Sequence, residues 1–422
     1  MKKRSPVIDR LAGIEHYSTV FNGIGGNIKK NYNDFNVKEV INSEFLDNLT
    51  NDKVDKNIFP IYEMEKKGID SNHAIMQIKK KFGTNLKIMG IKDAKATTLQ
   101  YASADGNERL KDIKVGEISL KLIGYSKKPV EKSLLIGNNF KIAISDLKDN
   151  SKNNLTQFLS EINNMGNFYG LQRFGSERLV THLVGKAILQ KKFNEAIEIL
   201  LTYTTKFDSK YSKEIREKLK DIKTIPNIVK IIPRGMDIEK KIAYEIIKGK
   251  DDISILRSVP ISIRRLFVQA FQAYIYNRAL SCAIENDDSL TECEKNDLCF
   301  EIHDKIIFGK IRKFENFDSN YEKIPIIRLP GYAYQPGKGR FDILVKKIMD
   351  EENISSKDFF IKEMQEISES GGYRQAALIS KDFKFNTADN STIVEFTLPK
   401  GSYATTLLRE IIKPDDPIHA GF

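Results

Sequence analysis

The chain has 422 residues, 41% of them hydrophobic and 30% charged, so it is long enough for two domains and has the composition of an ordinary globular protein. Its apolar runs are too short to cross a bilayer, and its basic N-terminal segment lacks the apolar core of a signal peptide, so we expect a cytoplasmic protein that does not associate with membranes. The formal net charge of +11 favours a polyanionic partner such as nucleic acid, although solvated lysines alone often give such an excess.

The first 165 residues alternate predicted strands and helices. Turn residues and apolar spacing mark the boundaries of these elements. In chain order, we predict a strand at 35–40, a helix from an N-cap at Asp70 or Ser71 to a stop at Gly83, a buried strand at 86–91, a hairpin over 133–147 that turns at Gly137-Asn138-Asn139, and a helix at 153–166.

The middle of the chain is predicted to be mainly helical, because its apolar residues recur every three and four positions. The clearest segments are 177–190, 193–203, 212–222 and the long 262–286. Residues 391–399 alternate like a strand again. Positive charge is concentrated in residues 1–190, which hold 30 Lys and Arg against 21 Asp and Glu, whereas residues 191–375 hold 33 against 30. A polyanion would therefore dock first on the N-terminal part.

The segment "GIKDAKATTLQYAS", residues 90–103, places Lys92-Asp93 directly after an apolar run. An Asp at the end of a strand usually turns the chain or caps a helix, because its carboxylate accepts backbone N–H groups. Strand ends also hold reactive groups rigidly, and Lys92 favours an ionised neighbour. From these residues alone, both roles of Asp93 stay open.

A second unusual segment is "NNMGNFYGLQRFGSER", residues 163–178, which combines three aromatic rings, three glycines and Arg173. Such a loop can offer ring faces to an unpaired base and a cation to phosphate. The alternative is a buried turn whose rings belong to the core.

Two further segments are weaker signals. In "LPKGSYATTLLREI", residues 398–411, Gly401 and Ser402 predict the start of a helix near Tyr403. The glycines of "GIGGN", residues 23–27, do not follow an apolar strand and do not meet the G-x-G-x-x-G pattern, so we do not expect a dinucleotide site there. The cysteines Cys282, Cys293 and Cys299 form no C-x-x-C pair, which argues against a metal site or a disulfide framework.

Together these segments resemble the TruD family of tRNA pseudouridine synthases. Four family signatures occur here in the family's order. The matching residues are Lys29, Asp34, Phe35, Val37 and Glu39; Gly90, Lys92, Asp93, Ala96, Thr98 and Gln100; residues 167–175; and residues 398–405. There are three departures: Ala94 stands where a basic residue is usual, Tyr169 where a Phe is usual, and residues 272–277 differ from the family's helix motif.

The resemblance implies an α+β fold. A pseudouridine-synthase catalytic domain with a mixed sheet, residues 1–190 and 376–422, would be interrupted by a family-specific α/β insertion, residues 191–375, that is rich in helix and closes over an RNA cleft. The length of the insertion favours the archaeal or eukaryote-like branch of the family.

The resemblance also implies a function. The family isomerises uridine to pseudouridine in tRNA, chiefly uridine 13 of the D arm, without a cofactor or metal. Asp93 would be the reacting carboxylate, as a nucleophile or as a base. Residues implied to contact the flipped nucleotide are Phe35, Asn167, Tyr169 and Tyr403, and Lys29 and Arg173 would be cations for phosphate or for orienting Asp93. We expect a monomer that binds tRNA.

Two alternatives belong to other classes. An RNA-binding or RNA-chaperone protein without turnover would be expected to have a degraded acidic motif, whereas Asp93 is present. A dinucleotide-dependent RNA-modifying reductase would need a phosphate loop or a flavin signature, and we find neither in the sequence.

Overall fold

The computed structural model describes residues 2–51, 58–105, 112–149, 151–176, 178–233, 235–303, 306–315, 322–388 and 390–422. The strands are β1 (Gly25–Asn27), β2 (Phe35–Ile41), β3 (Phe59–Lys67), β4 (Leu86–Ile88), β5 (Thr97–Ala104), β6 (Ile113–Val115), β7 (Ile118–Ser126), β8 (Leu135–Leu147), β9 (Leu298–His303), β10 (Ile307–Lys313), β11 (Glu322–Leu329), β12 (Gly372–Gln375), β13 (Lys381–Ala388) and β14 (Ser391–Pro399). The helices are α1 (Val7–Leu11), α2 (Ser43–Asp47), α3 (Ser71–Phe82), α4 (Ser151–Glu161), α5 (Thr181–Leu189), α6 (Phe193–Thr202), α7 (Lys210–Lys218), α8 (Ile225–Ile228), α9 (Asp237–Ile247), α10 (Asp252–Ser258), α11 (Ile261–Glu285), α12 (Arg340–Glu351) and α13 (Ala404–Ile412).

A large sheet forms one half of the molecule. Within the described residues its strand order is β13-β14-β8-β2-β5-β3-β7-β6, with β1 added beside β8 and β4 beside β5. The β2–β5 pair is parallel and the other pairs are antiparallel, so the sheet is mixed. This confirms the predicted α+β class with a mixed sheet.

The other half is built around the long helix α11. This helix packs against α5, α12 and β11, and its apolar residues join one extended core with those of the neighbouring helices. A smaller antiparallel sheet, β10-β9-β11-β12, lies in the same half. The predicted helices at 193–203 and 262–286 are confirmed as α6 and α11.

The strands of the large sheet lie outside residues 191–375, and those of the small sheet lie inside that range. One core nevertheless includes Phe168 and Phe174 together with Ile197 and Phe271, so packing continues across both parts. The predicted domain boundaries at 190 and 375 therefore stay a prediction.

The predicted hairpin turning at Gly137-Asn138-Asn139 is wrong. These residues lie within β8, which runs unbroken between β2 and β14. A Cβ atom on Gly137 would lie 2.2 Å from the carbonyl oxygen of Leu398 in β14. The glycine therefore permits a close approach of two strands and does not form a turn.

The helix predicted after Asp70 is confirmed as α3. The Asp70 carboxylate accepts hydrogen bonds from the backbone N–H groups of Asn72 and His73, and Gly83 ends the helix at a φ of 75°. The strand predicted at 35–40 is confirmed as β2, Phe35–Ile41. The strand predicted at 86–91 is shorter, because β4 ends at Ile88 and the chain then leaves the sheet toward Asp93.

None of the helices in the described part of the chain combines the length and apolar character that a membrane span needs.

Candidate active site

A cavity of about 230 Å³ lies against one face of the large sheet. The sheet face that forms its floor comes from β2, β5 and β8, which lie side by side. Its volume is below the roughly 300–1,000 Å³ typical of pockets for drug-sized ligands. A single planar group with its sugar is a suitable occupant, whereas an intact double helix is too wide to enter.

The floor is set by strand register. Val37 of β2 is the direct partner of Thr98 in β5 and of Phe140 in β8, so these three side chains share one face of the sheet. Phe35, two residues before Val37, and Asn138, two residues before Phe140, extend the same face and also line the cavity. The floor is thus mainly apolar, with one hydroxyl and one amide.

The first side of the cavity is the Asp93 wall, which we define as residues 89–96 between β4 and β5. Its backbone is held by Lys66 of β3, whose side chain is fully buried. The ammonium group donates to the carbonyl oxygens of Ile69 at 2.8 Å, Lys92 at 3.3 Å and Asp93 at 3.0 Å. Burial lowers the pKa of Lys66 to about 8. Three backbone carbonyls around one ammonium group fix where the Asp93 main chain lies.

A buried polar network ties the same wall to the sheet. Glu39 of β2 is 1% exposed and its carboxylate lies 3.1 Å from the Lys92 ammonium group. The amide of Gln100 donates to the Gly90 carbonyl at 2.6 Å, and its oxygen accepts from the Ser71 hydroxyl at 2.7 Å. The spacing of Gly90, Lys92 and Gln100 in the sequence therefore serves to anchor this wall.

The Asp93 side chain is exposed toward the cavity. Its Oδ2 accepts a hydrogen bond of 3.0 Å from Nε2 of Gln172. Gln172 lies in a 3₁₀ turn, Leu171–Phe174, that closes the aromatic segment. We did not predict a role for Gln172, although its place in that segment was the available signal.

Lys29 lines the same cavity, close enough to Asp93 for the two charges to interact. Its backbone has a φ of 57°, a left-handed conformation that costs free energy for a residue with a side chain. Burial lowers the pKa of Lys29, and the negative charge of Asp93 partly opposes that shift while Lys95 adds to it. The ammonium group lies 4.9 Å from the centre of the Phe35 ring. Lys29 is thus a partly desolvated cation facing the Asp93 carboxylate.

The opposite side is the Tyr403 wall, which we define as residues 402–405 at the start of α13. The Tyr403 ring lies 6.0 Å from the ring of Tyr169, measured between centroids. The Arg374 guanidinium lies 4.1 Å from the Tyr169 ring centre and 5.6 Å from that of Tyr403. It also donates to the Gly401 carbonyl at 2.6 Å. Arg374, which we did not predict, therefore braces the rings from behind.

Asn167 and Arg173 also lie behind this wall. Asn167 is fully buried; its Oδ1 accepts from Arg374 at 2.9 Å and its Nδ2 donates to the Gln375 carbonyl at 3.3 Å. Arg173 donates to Gln269 at 3.3 Å and stacks 5.6 Å from the Tyr169 ring. Both side chains support the aromatic cluster in this structure and do not line the cavity.

The structure thus brings together four of the seven predicted site residues. Asp93, Lys29, Phe35 and Tyr403 line one cavity, whereas Tyr169, Asn167 and Arg173 form a layer behind Tyr403. These four residues offer one carboxylate and one cation beside two aromatic rings, and Lys92, Lys95 and Phe140 also line the cavity. Within the described residues, no three His, Cys, Asp or Glu side chains are placed to hold a metal ion, and the expectation of no metal or cofactor stays a prediction.

The chain is similar in sequence to a known protein family over nearly its whole length. A family model described as tRNA pseudouridine synthase D (TruD) matches residues 11–411. The chain is 31% identical to a protein from Methanosarcina acetivorans named "Probable tRNA pseudouridine synthase D", over 97% of this chain and 98% of the relative. It is 30% identical to a protein of the same name from Pyrococcus furiosus, over 96% of this chain and 99% of the relative.

The fold is also similar to that of a solved structure. The crystal structure of a protein from Methanosarcina mazei, named as a TruD-type tRNA pseudouridine synthase D, superposes on this fold with a TM-score of 0.79 and 27% identity. The match covers 98% of this chain and 99% of that chain, so the resemblance in fold extends over both halves of the molecule.

Proposed function

Since this chain belongs to the TruD family and is a tRNA pseudouridine synthase, we propose that its target is uridine 13 in the D arm of tRNA and that Asp93 is its reacting carboxylate. The observation that carries this proposal is the position of the Asp93 side chain. It lies on the wall of a cavity that has Phe35 on its floor and Tyr403 on the opposite wall, and Gln172 donates a hydrogen bond to its carboxylate.

The size of the cavity supports base flipping. A uridine within folded tRNA is stacked on its neighbours, and extruding it costs a few kcal/mol. Aromatic side chains repay part of this cost, because base–ring stacking is worth about 1–3 kcal/mol per base. Phe35, Phe140 and Tyr403 are rings that line the cavity, and Tyr169 supports Tyr403 from behind. In our proposal, Phe35 and Tyr403 hold the uracil while it is detached from the sugar.

The reaction exchanges one carbon–nitrogen bond for one carbon–carbon bond. The N1–C1′ bond breaks and leaves its electron pair on the uracil; the ring turns, and C5 bonds to C1′. The hydrogen on C5 is then lost as a proton and N1 takes up a proton in its place, so the product is an isomer of the substrate. Asp93 can act as a nucleophile that bonds C1′ and is displaced by C5, or as a base that takes the 2′ proton and returns it. Its position is compatible with both roles.

Lys29 and Arg173 have different places in this scheme. Lys29 faces Asp93 inside the cavity, so we propose that it keeps the carboxylate ionised or meets the phosphate of the flipped nucleotide. Arg173 and Asn167 lie behind the Tyr403 wall, and we propose that they contact the nucleotide only if the aromatic cluster opens on binding.

The rest of the tRNA would meet the N-terminal part of the chain. Residues 1–190 hold 30 Lys and Arg against 21 Asp and Glu, which favours salt-sensitive contacts to phosphate. We propose that a catalytic domain of residues 1–190 and 376–422 acts with an inserted domain of residues 191–375 on one tRNA, and that the protein works as a monomer in the cytoplasm.

The target can be tested by mapping. An unmodified tRNA transcript is incubated with the protein, and pseudouridine is located by chemical adducts that stop reverse transcription. A matched transcript carries cytidine at position 13. We expect one modified position in the first transcript and none in the second. Modification elsewhere would contradict the proposed target, and a complete lack of pseudouridine would contradict the proposed function.

A further inference from the structure

Two polar groups on the floor of the cavity have no role in holding the fold. The Thr98 side chain is 1% exposed, and its hydroxyl has no hydrogen-bond partner. The amide oxygen of Asn138 is also buried and has no partner. Both residues line the cavity. These groups differ from Gln100 and Glu39 on the same sheet face, whose polar atoms are all engaged with the Asp93 wall.

Unpaired buried polar groups are costly. Leaving one without a partner costs roughly 1–3 kcal/mol, and few such groups occur in native proteins without an explanation. Valine has nearly the shape of threonine and fits a strand equally well, so packing alone does not require a hydroxyl at position 98. The cost is recovered if a ligand in the cavity supplies the missing partners.

The strand register places the two groups together. Thr98 is the partner of Val37, and Asn138 is the partner of Glu39, two residues further along the same strand. β5 and β8 flank β2, so Thr98 and Asn138 lie on either side of one strand, and both residues line the same cavity. The remaining floor residues, Phe35, Val37 and Phe140, have no polar side-chain atoms.

Uracil has the complementary edge. It presents one N–H donor at N3 between two carbonyl acceptors, and a flipped base is read through hydrogen bonds to that edge. An amide oxygen can accept from the N3–H group, and a hydroxyl can donate to a carbonyl oxygen. Cytosine offers an acceptor at N3, so the amide oxygen of Asn138 and N3 would be two acceptors without a hydrogen bond between them, which disfavours cytosine.

We propose that Thr98 and Asn138 are specificity-determining residues that read the polar edge of the flipped uracil, with Asn138 Oδ1 accepting from N3–H and the Thr98 hydroxyl donating to a carbonyl oxygen. This inference rests on the proposed function. It adds recognition of the base to a site whose other residues act on the sugar, the ring face or the phosphate.

The test combines a change in the protein with a change in the RNA. Four variants are compared with the wild type: Asn138→Ala, Thr98→Val, Thr98→Ser and the control Thr97→Val. The control makes the same substitution as Thr98→Val one residue away, on the other face of β5. The RNA carries uridine or 3-methyluridine at the position that the wild type modifies. Conversion of the target nucleoside is followed by chromatography, and urea unfolding checks that each variant is folded.

We expect the wild type to lose at least about ten-fold in kcat/KM on 3-methyluridine, since the methyl group removes the N3 donor. Asn138→Ala should lose about ten-fold in kcat/KM on uridine. It should lose little more on 3-methyluridine, because its contact with N3–H is already absent. Thr98→Val should lose about ten-fold in kcat/KM on both substrates, and Thr98→Ser should recover most of that loss. Thr97→Val should keep the wild-type preference for uridine over 3-methyluridine.

If kcat/KM fell by as large a factor from uridine to 3-methyluridine in Asn138→Ala as in the wild type, Asn138 would not contact N3. That result would overturn the inference. Wild-type rates in both Asn138→Ala and Thr98→Val would overturn it as well, with the proposed function intact. A folded wild-type protein that forms no pseudouridine on any tRNA would overturn the proposed function itself and this inference with it.

Discussion

The two walls of the cavity are held by different forces. The Asp93 wall is tied to the sheet by hydrogen bonds from buried polar groups, chiefly Lys66 and Gln100, to its backbone carbonyls. The Tyr403 wall rests on ring contacts and on the Arg374 guanidinium stacked behind Tyr169. The first arrangement fixes one backbone segment in place, whereas the second supports ring faces that tolerate small shifts. A reacting carboxylate needs the former and a stacking surface needs only the latter.

The largest effect is expected from breaking the Asp93 wall. Lys66→Met removes the donor for three carbonyl groups, and each carbonyl left unpaired costs about 1–3 kcal/mol. We expect the free energy of unfolding to fall by roughly 2–4 kcal/mol and turnover to fall by about 100-fold, since small displacements of a reacting group are enough for such a loss. Urea unfolding and single-turnover rates measure the two effects.

The matched control is Lys38→Met, the same change at an exposed position of β2. It should leave both quantities nearly unchanged. If Lys66→Met were as active as the control, the Asp93 backbone would not depend on this lysine.

A smaller loss is expected from the Tyr403 wall. Arg374→Met removes the guanidinium that stacks on Tyr169 and donates to Gly401. We expect about a ten-fold fall in kcat/KM, mainly through KM, because part of the base–ring stacking of about 1–3 kcal/mol is lost. Arg374→Lys should recover little of it, since an ammonium group lacks the planar fork of arginine.

The control for charge is Arg312→Met, which removes an exposed guanidinium paired with Glu301 at the opposite edge of the small sheet. Its kinetics should match the wild type. A loss confined to kcat in Arg374→Met would contradict the view that this wall only supports the base.

A smaller effect still is expected from Gln172→Ala. It removes one hydrogen bond to an exposed carboxylate, a contact worth about 1 kcal/mol, so the single-turnover rate should fall about five-fold while tRNA affinity stays the same. Gln172→Glu should lose more, because two carboxylates would then repel each other. Equal rates for the two variants would show that Asp93 is oriented by other groups.

Acid should lower the free energy of unfolding through His182, a buried side chain of the core. Burial lowers the pKa of His182 to about 3, and its ring packs between Phe174 and Tyr274. The unfolded chain therefore binds a proton that the folded chain does not between pH 6.5 and 3, and stability falls as the pH falls through that window. His182→Gln should reduce the slope by roughly 1 kcal/mol per pH unit. Urea unfolding at pH 7, 6 and 5 measures it, and identical slopes would contradict the assignment.

The comparison of the walls also explains which features were predictable. Asp93, Lys29, Phe35 and Tyr403 were predicted because they stand in segments that match the family's signatures, and they line the cavity. Lys66 and Arg374 were missed because each acts on a segment distant in the sequence, and neither stands in a distinctive local pattern. Their roles depend on tertiary contacts that periodicity does not encode.

The errors have a similar cause. Gly137 has the same local signature whether it forms a turn or lets Leu398 approach closely, and only the pairing of β8 with β14 distinguishes the two. The predicted strand at 86–91 was too long because Gln100 draws the Gly90 carbonyl out of the sheet. The predicted roles of Asn167, Tyr169 and Arg173 toward the nucleotide stay predictions.

The central claim is that Asp93 performs the chemistry, and the most direct test is the release of tritium from tRNA labelled at uracil C5. This hydrogen is lost only when C5 becomes bonded to the sugar, so its release reports the reaction itself. The account predicts release by the wild type and none by Asp93→Asn, with tRNA binding and the free energy of unfolding nearly unchanged. Release by a folded Asp93→Asn protein at a rate near that of the wild type would contradict it.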